Sequence, residues 1–210
     1  SRRLKNKNLK KINNKSLTEI TINQAKKTKI FSEIILSTDS NKIFNIGKKL
    51  SITCMKRSKI NSRNNSTTDA ALKETISNLN NNYDNIVILQ VTSPLRKVTT
   101  IKNFVHYCTK NKLKHCLTVS EMHDNLSYYK HKYFNPLNKV RKLSQNRKPF
   151  LYENGLIYFI SKDSFSFNFK IFPKKNWNYY LTNKYESLDI NDINDFNICK
   201  LLLNKNDKNI

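Results

Sequence analysis

Hydrophobic and polar positions along this chain follow two periods, and the switches between them lay out its elements. Ser16-Leu17-Thr18-Glu19 has the form of a capping box, the serine capping a helix and the glutamate reaching back, so a helix is predicted over about residues 17 to 28. Glu33-Ile34-Ile35-Leu36-Ser37 reads as a strand ending in Thr38-Asp39-Ser40, followed by a helix over about 40 to 49. After the polar run KRSKINSRNNSTT, Leu72, Ile76 and Leu79 mark one helical face at i, i+4 and i+7. Asn85 to Val91 is a nearly continuous apolar run, which predicts a strand at the centre of a parallel sheet. A helix over 97 to 110 and a strand over 115 to 120 complete another unit, and Leu156 to Ile160 reads as a further strand. The closing helix, near 192 to 203, sets Ile193, Phe196, Cys199 and Leu203 on one side. Strands alternating with helices in this way predict βαβ units and a doubly wound α/β sheet.

Between 121 and 152 the pattern dissolves into HDNLSYYKHKYFNPLNKVRKLSQNRKPFLY, too aromatic for a plain linker, so an arm or small subdomain that packs on something is expected there. No internal repeat is visible, and the 210 residues read as one globular domain with a sizeable core, 38% apolar with 11 Phe and 10 Tyr.

The formal charge of +24, from 39 Lys+Arg against 15 Asp+Glu, implies a general attraction to polyanions. Asparagine is equally abundant, however, and phosphate binding gives no reason for that. Lysine and asparagine rising together fits a composition drift with lysines spread over solvated faces. Cys54, Cys108, Cys116 and Cys199 are scattered, with no C-x-x-C pair, which suggests a reducing compartment. No stretch approaches the roughly 18 to 20 apolar residues that span a bilayer, and no apolar leader opens the chain, so the expectation is a cytoplasmic protein without a membrane partner. The chain opens on SRRLKNKN without an initiator Met, which leaves room for residues upstream.

Three segments carry candidate chemistry. In ILQVTSPLR the apolar strand breaks into Gln90, Thr92, Ser93 and Arg96, with Pro94 stiffening the exit, at the carboxyl end where open α/β sheets bind ligands. The same residues would also serve as a polar loop with a capping serine. In SRRLKNKNLKKI, Ser1, Lys7 and Asn8 precede the first helix and could hold a polyphosphate, or form a frayed basic terminus. In Ser187-Leu188-Asp189-Ile190-Asn191-Asp192, an extended backbone places Asp189 and Asn191 on one side, two oxygen ligands suited to Mg²⁺. Helix capping by Asn191 with Asp192 in the first turn is the alternative.

Gly155, in YENGLIYF, suggests a turn before a strand. His106, His115, His123 and His131 show no metal-ligand spacing. No Walker A, G-x-G-x-x-G or G-x-S-x-G motif is present, which leaves ATPase, dehydrogenase and esterase readings without support.

Taken in order, these segments resemble the acylneuraminate cytidylyltransferases, or CMP-sialic acid synthetases, and their bacterial relatives acting on legionaminic- and pseudaminic-type sugars. SRRLKNKN is similar to the end of the family's nucleotide loop, and IILSTDS to its second strand and STD turn. YDNIVILQVTSPLR is similar to its Leu-Gln-Pro-Thr-Ser-Pro-Leu-Arg signature, YENGLIYF to its Asn-Gly-x-Ile-Tyr strand, and ESLDINDINDF to its Ser-Ile-Asp-Ile-Asp-Thr motif. The resemblance implies a Rossmann-like nucleotide-diphospho-sugar transferase fold, with a mostly parallel sheet flanked by helices and residues 121 to 152 as a dimerisation arm of a homodimer. It implies attack of the anomeric hydroxyl of a nonulosonic sugar acid on the α-phosphorus of CTP, with release of pyrophosphate.

Carried over by residue, the resemblance implies that Ser1, Lys7 and Asn8 hold the nucleotide phosphates, with Arg57 and Thr68 near the nucleotide. Gln90 would contact the sugar acid, Asn154 would lie near it, and Arg147 would offer a carboxylate partner from the arm. Lys7, Gln90 and Asp189 would then form the catalytic set, with Asp189 and Asn191 at the paired metal-binding positions.

The chain departs from the family pattern at several points. The family's first strand and the arginine upstream of Ser1 are missing from this sequence, Arg3 stands where many members have glycine, and Val91 replaces the proline after Gln90. Asn191 replaces the second aspartate, bringing an oxygen but no charge. Two other readings remain: a degenerate paralogue that keeps the fold and dimer without turnover, and a basic nucleic-acid-binding module. For the second, only 128 to 152 offers aromatics among basic residues, so no specific nucleic-acid partner is expected.

Overall fold

Residues 4–58, 61, 68–79, 83–128, 134–137, 143–165 and 177–206 are described in a computed structural model of the chain. At the amino end, β1 (Lys11–Ile12) and β2 (Lys15–Ser16) form a hairpin. Its two-residue turn is Asn13-Asn14, with φ of 48° and 63°. Asparagine is the non-glycine residue best suited to the left-handed pair that such a turn needs. The capping box then forms as the sequence requires: Ser16 Oγ accepts from Glu19 N at 3.2 Å and Glu19 Oε2 accepts from Ser16 N at 2.6 Å, opening α1 (Leu17–Thr28).

The next unit is β3 (Ile35–Thr38), α2 (Asn41–Lys49) and β4 (Thr53–Lys56), with β4 parallel to β3. Gly47 sits where α2 crosses the pair; a Cβ there would lie 2.4 Å from Cys54 Sγ and 2.7 Å from a Leu36 methyl, so the helix can approach this closely only at a glycine. Then follow α3 (Thr68–Ser77), β5 (Asn85–Leu89), α4 (Val98–Lys110), β6 (His115–Met122), β7 (Phe150–Ser161), β8 (Asn178–Leu181) and α5 (Ile193–Asn206).

The larger sheet runs β5-β7-β6-β8, with β7 antiparallel to both neighbours and β8 parallel to β6. This corrects two expectations. The sheet is mixed and not mostly parallel, because β7 reverses direction between β5 and β6. The apolar run from Asn85 is also no central strand: among the described residues β5 pairs with β7 alone and β3 with β4 alone. Residues 86 to 89 are accordingly only half-buried.

Of the three apolar clusters among the described residues, two tie helices to the sheet and to the amino-terminal hairpin. Ile101, Phe104 and Cys108 of α4 pack on Cys116, Leu156, Ile157 and Phe159 of the sheet. Leu4, Ile12 and Leu17 pack on Ile190, Phe196 and Cys199, which ties the amino-terminal hairpin to α5. Ile193, expected on the buried side of α5, is 47% exposed, since it opens the helix before the face turns inward at Phe196.

The 121 to 152 stretch is divided: β6 runs on to Met122, β7 begins at Phe150, and Ser127 bridges Pro136 between them. Tyr128, Phe134 and Leu143 in this stretch are exposed. Among the described residues no helix is long and apolar enough to cross a membrane.

Candidate functional site

The amino-terminal loop, the loop after β5 and the segment before α5 meet at one rim of the larger sheet. Lys7 lies in a 3₁₀ turn, Lys7–Leu9, entered through Asn6 at φ 54°. Its ammonium donates to the Ile190 carbonyl at 2.6 Å, and Ile190 N in turn donates to the Thr92 carbonyl at 2.9 Å. Lys7 is thereby set beside the Asp189–Asn191 segment, itself bonded to the loop that follows Gln90. Asn8 contributes its carbonyl to Thr18 Oγ1 at 3.0 Å, which fixes the turn on α1.

In the loop after β5 the polar residues divide. Gln90 and Thr92 are partly exposed, whereas Ser93 is fully buried and Arg96 only 2% exposed. Arg96, expected as a cation at the ligand edge, is turned into the protein. It donates to the carbonyls of Gln90 (3.2 Å) and Leu156 (2.7 Å) and to Gln24 Oε1 (3.2 Å). Burial lowers its pKa from the usual guanidinium value, opposed by the charge of Glu186. Its work is to lock the Gln90 backbone to β7 and α1, because a planar fork of donors matches carbonyls arriving from different elements.

Asn154 is also inward. Its Nδ2 donates to Ser120 Oγ (2.8 Å) and Thr182 Oγ1 (2.7 Å), and its Oδ1 accepts from Thr118 Oγ1 (2.8 Å) and Leu156 N (3.1 Å). Four hydrogen bonds saturate a carboxamide, so this side chain braces the sheet and has nothing left for a ligand. It sits where the β6–β7 register shifts between Leu117 and Val119, with Gly155 at φ 69°. The glycine expected to make a turn before the strand therefore lies inside β7, at an irregularity that leaves it in the left-handed region.

Asp189 and Asn191 lie together, Asn191 Nδ2 donating to Asp189 Oδ2 at 3.0 Å. Asn191 does not cap α5. Asp192 does, its Oδ1 accepting from the amides of Asn194 (2.8 Å) and Asp195 (3.1 Å), while Asp195 Oδ2 reaches back to the amides of Asn191 and Asp192. Capping is thus assigned to its own residues, and the Asp189–Asn191 pair stays outside the helix. Burial, with the charges of Asp195 and then Asp189, holds the Cys199 thiol up at about 12, and burial with Glu153, Asp189 adding least, raises the Tyr158 phenol. Tyr158, bonded to Glu153 at 2.6 Å, is a neighbour of the site that the sequence did not single out. Its signal, a tyrosine three residues beyond Gly155 in the same strand, is ordinary.

The remaining candidates lie elsewhere or cannot be placed. Arg57 follows β4, its N donating to the Thr38 carbonyl at 3.1 Å and its guanidinium pairing with Asp39 at 3.4 Å. Thr68 is the first residue of α3. Arg147 donates to the His123 carbonyl at 3.1 Å, turned back on the segment after β6. Ser1, and the side chain of Thr68, lie outside the described residues.

Among the described residues no cluster of three or more His, Cys, Asp or Glu could hold a metal ion. Asp189 and Asn191 offer two oxygens once the Asn191 carboxamide is turned over, at the cost of its 3.0 Å hydrogen bond. That donor set fits a Mg²⁺ that brings phosphate oxygens and waters with it, and is too sparse for one held by protein alone.

A family model described as Cytidylyltransferase matches residues 1–200. The chain belongs to the cytidylyltransferase family. It is 27% identical over 204 residues to the N-acylneuraminate cytidylyltransferase of Streptococcus agalactiae serotype V, covering 93% of this chain and 49% of that protein. It thus spans about half the length of the first such relatives. It is 26% identical to the post-translational flagellin modification protein B of Campylobacter coli, covering 97% of this chain and 90% of the relative. The solved structures that share the fold include these two. One is a CMP:2-keto-3-deoxy-manno-octonic acid synthetase complexed with CTP, with a TM-score of 0.75 at 12% identity over 98% of this chain and 95% of that one. The other is the 4-diphosphocytidyl-2C-methyl-D-erythritol synthase of Anaerococcus prevotii, with a TM-score of 0.66 at 12% identity over 92% and 91%. This cytidylyltransferase-family chain therefore combines an α/β fold shared with those two solved structures and a rim where the amino-terminal loop, the loop after β5 and the segment before α5 are hydrogen-bonded together.

Proposed function

We propose that this chain transfers CMP from CTP to a nonulosonic, sialic-acid-like sugar acid and releases pyrophosphate, as an enzyme of surface-glycan biosynthesis. The observation that carries the reading is the bonded junction Lys7–Ile190–Thr92, which draws the amino-terminal loop, the loop after Gln90 and Asp189 to one rim. Lys7, with Ser1 and Asn8, binds the triphosphate; Arg57 and Thr68 lie toward the nucleotide; Gln90 faces the sugar acid, and Arg147 reaches its carboxylate only on leaving the His123 carbonyl. Asn154 braces the sheet behind Gly155 through its four bonds and does not touch the sugar.

In the reaction the anomeric oxygen bonds to the α-phosphorus, the α–β phosphoanhydride bond breaks, and pyrophosphate leaves with the charge that Lys7 helps neutralise. Mg²⁺, held by Asp189 and the Asn191 Oδ1, would supply further neutralisation of the triphosphate. The exposed Tyr128, Phe134 and Leu143 favour a homodimer through the 121 to 152 arm.

The test is thermal shift followed by turnover. CTP with Mg²⁺ should raise the melting temperature more than ATP or GTP does, and pyrophosphate should appear with CTP and one member of a panel of nonulosonic acids. Equal shifts with all three nucleotides would remove the reading. One observation favours a second reading, a paralogue that binds CTP without turnover: Asn191 brings no charge and donates to Asp189. CTP-selective stabilisation without pyrophosphate release from any acid would decide for it.

A further inference from the structure

Helix α1 is bonded to both of the loops that the proposed reaction brings together. At its first turn Thr18 Oγ1 donates to the Asn8 carbonyl at 3.0 Å and Leu17 N to the Lys10 carbonyl at 3.1 Å, which seats the loop carrying Lys7. Further along the same helix Gln24 holds the loop after β5. Its Nε2 donates to the carbonyls of Pro94 and Arg96, both at 2.7 Å, and its Oε1 accepts from Arg96 Nη2 at 3.2 Å. From Thr18 to Gln24 the helix rises about 9 Å, a length that its own hydrogen bonds keep constant.

Two main-chain carbonyls need donors and a guanidinium needs an acceptor, so the partners fix which way round the Gln24 amide sits. Its contact with Arg96 is reciprocal, taking the side chain of that residue and supplying its main chain. Arg96 is 2% exposed, and among the described residues its Nε has no partner, so the other donors keep it in place. Besides Gln24, those donors reach the carbonyls of Gln90 and Leu156. Through Arg96, the position of Gln90 is referred back to α1.

We propose that Gln24 is a positioning residue for the sugar acid, and that α1 is the rigid spacer setting the acceptor loop against the nucleotide loop. The role rests on the transferase reading. Thr18 governs the nucleotide end and Gln24 the acceptor end. Attack on the α-phosphorus needs the two reacting atoms within about 3 to 3.5 Å and aligned, and a displacement of about 1 Å can cost ~10²-fold in rate. A spacer of constant length meets that demand where a flexible tether would not. Without Gln24, two carbonyls and a buried guanidinium donor lose their partner, so the loop after β5 yields while the nucleotide loop keeps its own bonds to α1.

The experiment compares two variants of nearly constant shape. Gln24→Met removes all three bonds, and Thr18→Val removes one hydroxyl donor. Amide hydrogen exchange is read at residues 6 to 10 and 92 to 97 without ligand. CTP affinity is then measured by calorimetry, and the KM of the sugar acid by pyrophosphate release with whichever nonulosonic acid the wild type uses. Gln24→Met should speed exchange at 92 to 97 by about tenfold or more and raise the KM of the acid about tenfold, with exchange at 6 to 10 and CTP affinity within about twofold of wild type. Thr18→Val should do the reverse, speeding exchange at 6 to 10 and weakening CTP by about threefold or more with the KM of the acid unchanged. A helix merely destabilised by either change would move both segments and both substrates together, and that result would overturn the proposal. So would unaltered exchange at 92 to 97 in Gln24→Met. Absence of pyrophosphate from wild type with every acid would strike the transferase reading instead, while the exchange pattern would still support or overturn the separate holds at Thr18 and Gln24.

Discussion

Lys7 and Ile190, 183 positions apart, share a 2.6 Å hydrogen bond between an ammonium and a main-chain carbonyl. That contact places a positive charge against the turn carrying Asp189, so the first and last motifs of the chain act as one structural unit. Lys7→Met should lower CTP affinity by about tenfold, or ~1.4 kcal/mol, with a smaller loss of stability from the unpaired carbonyl. Calorimetry with CTP and a urea melt separate the two effects. Unchanged CTP affinity would take Lys7 out of the site.

Asn191→Asp should exchange an amide that donates to Asp189 for a second carboxylate. Without metal the variant should be slightly less stable, two like charges replacing a 3.0 Å hydrogen bond. With CTP present its Mg²⁺ affinity should rise about tenfold or more. Mg²⁺ titrations of the CTP-bound protein and its variant check this, and equal affinities would argue against coordination by residue 191.

The cap of α1 has a stability cost that can be measured directly. Ser16→Ala should cost about 1 kcal/mol, and Glu19→Gln less. The Ser16 hydrogen bonds outweigh partial burial and hold the Glu19 carboxyl below its ordinary value of 4.5. Its contribution is therefore present above that value and fades as pH falls through the lower folded one. Urea melts of wild type and Glu19→Gln between pH 3 and 6 should converge at the acid end.

His115 gives a pH dependence in another window. Burial, helped by Lys114, lowers its pKa below 6.5, and among the described residues its buried Nε2 has no hydrogen-bond partner. A folded state that prefers the neutral ring binds fewer protons than the unfolded chain, so stability is unpenalised above about 6.5 and declines as pH falls below it. His115→Gln should flatten that slope in thermal melts between pH 5 and 7.

The helices were legible in the sequence because their signals are local. Ser16 and Glu19 fix the start of α1, and the apolar spacing around Phe196 finds α5. Sheet order was not, because an apolar run says that a strand is buried and not which edge it bonds. Asn85 to Leu89 reads as central and is only half-buried instead. At the site, motif order found the segments that meet at Lys7, Thr92 and Ile190, yet the same motifs made Arg96 and Asn154 look outward. Residue type records that a polar group needs partners; only the fold shows whether ligand or main chain provides them.

The saturated carboxamide of Asn154 has a consequence for how the protein ages. Asn-Gly is the dipeptide most prone to cyclise to a succinimide, a reaction that needs the side-chain carbonyl carbon to swing onto the following main-chain nitrogen. With Nδ2 tied to Ser120 and Thr182 and Oδ1 to Thr118 and Leu156, that swing is blocked while the sheet is intact. Deamidation at this bond should therefore act as a chemical clock for unfolding, silent in native stocks and accumulating in protein that has spent time denatured.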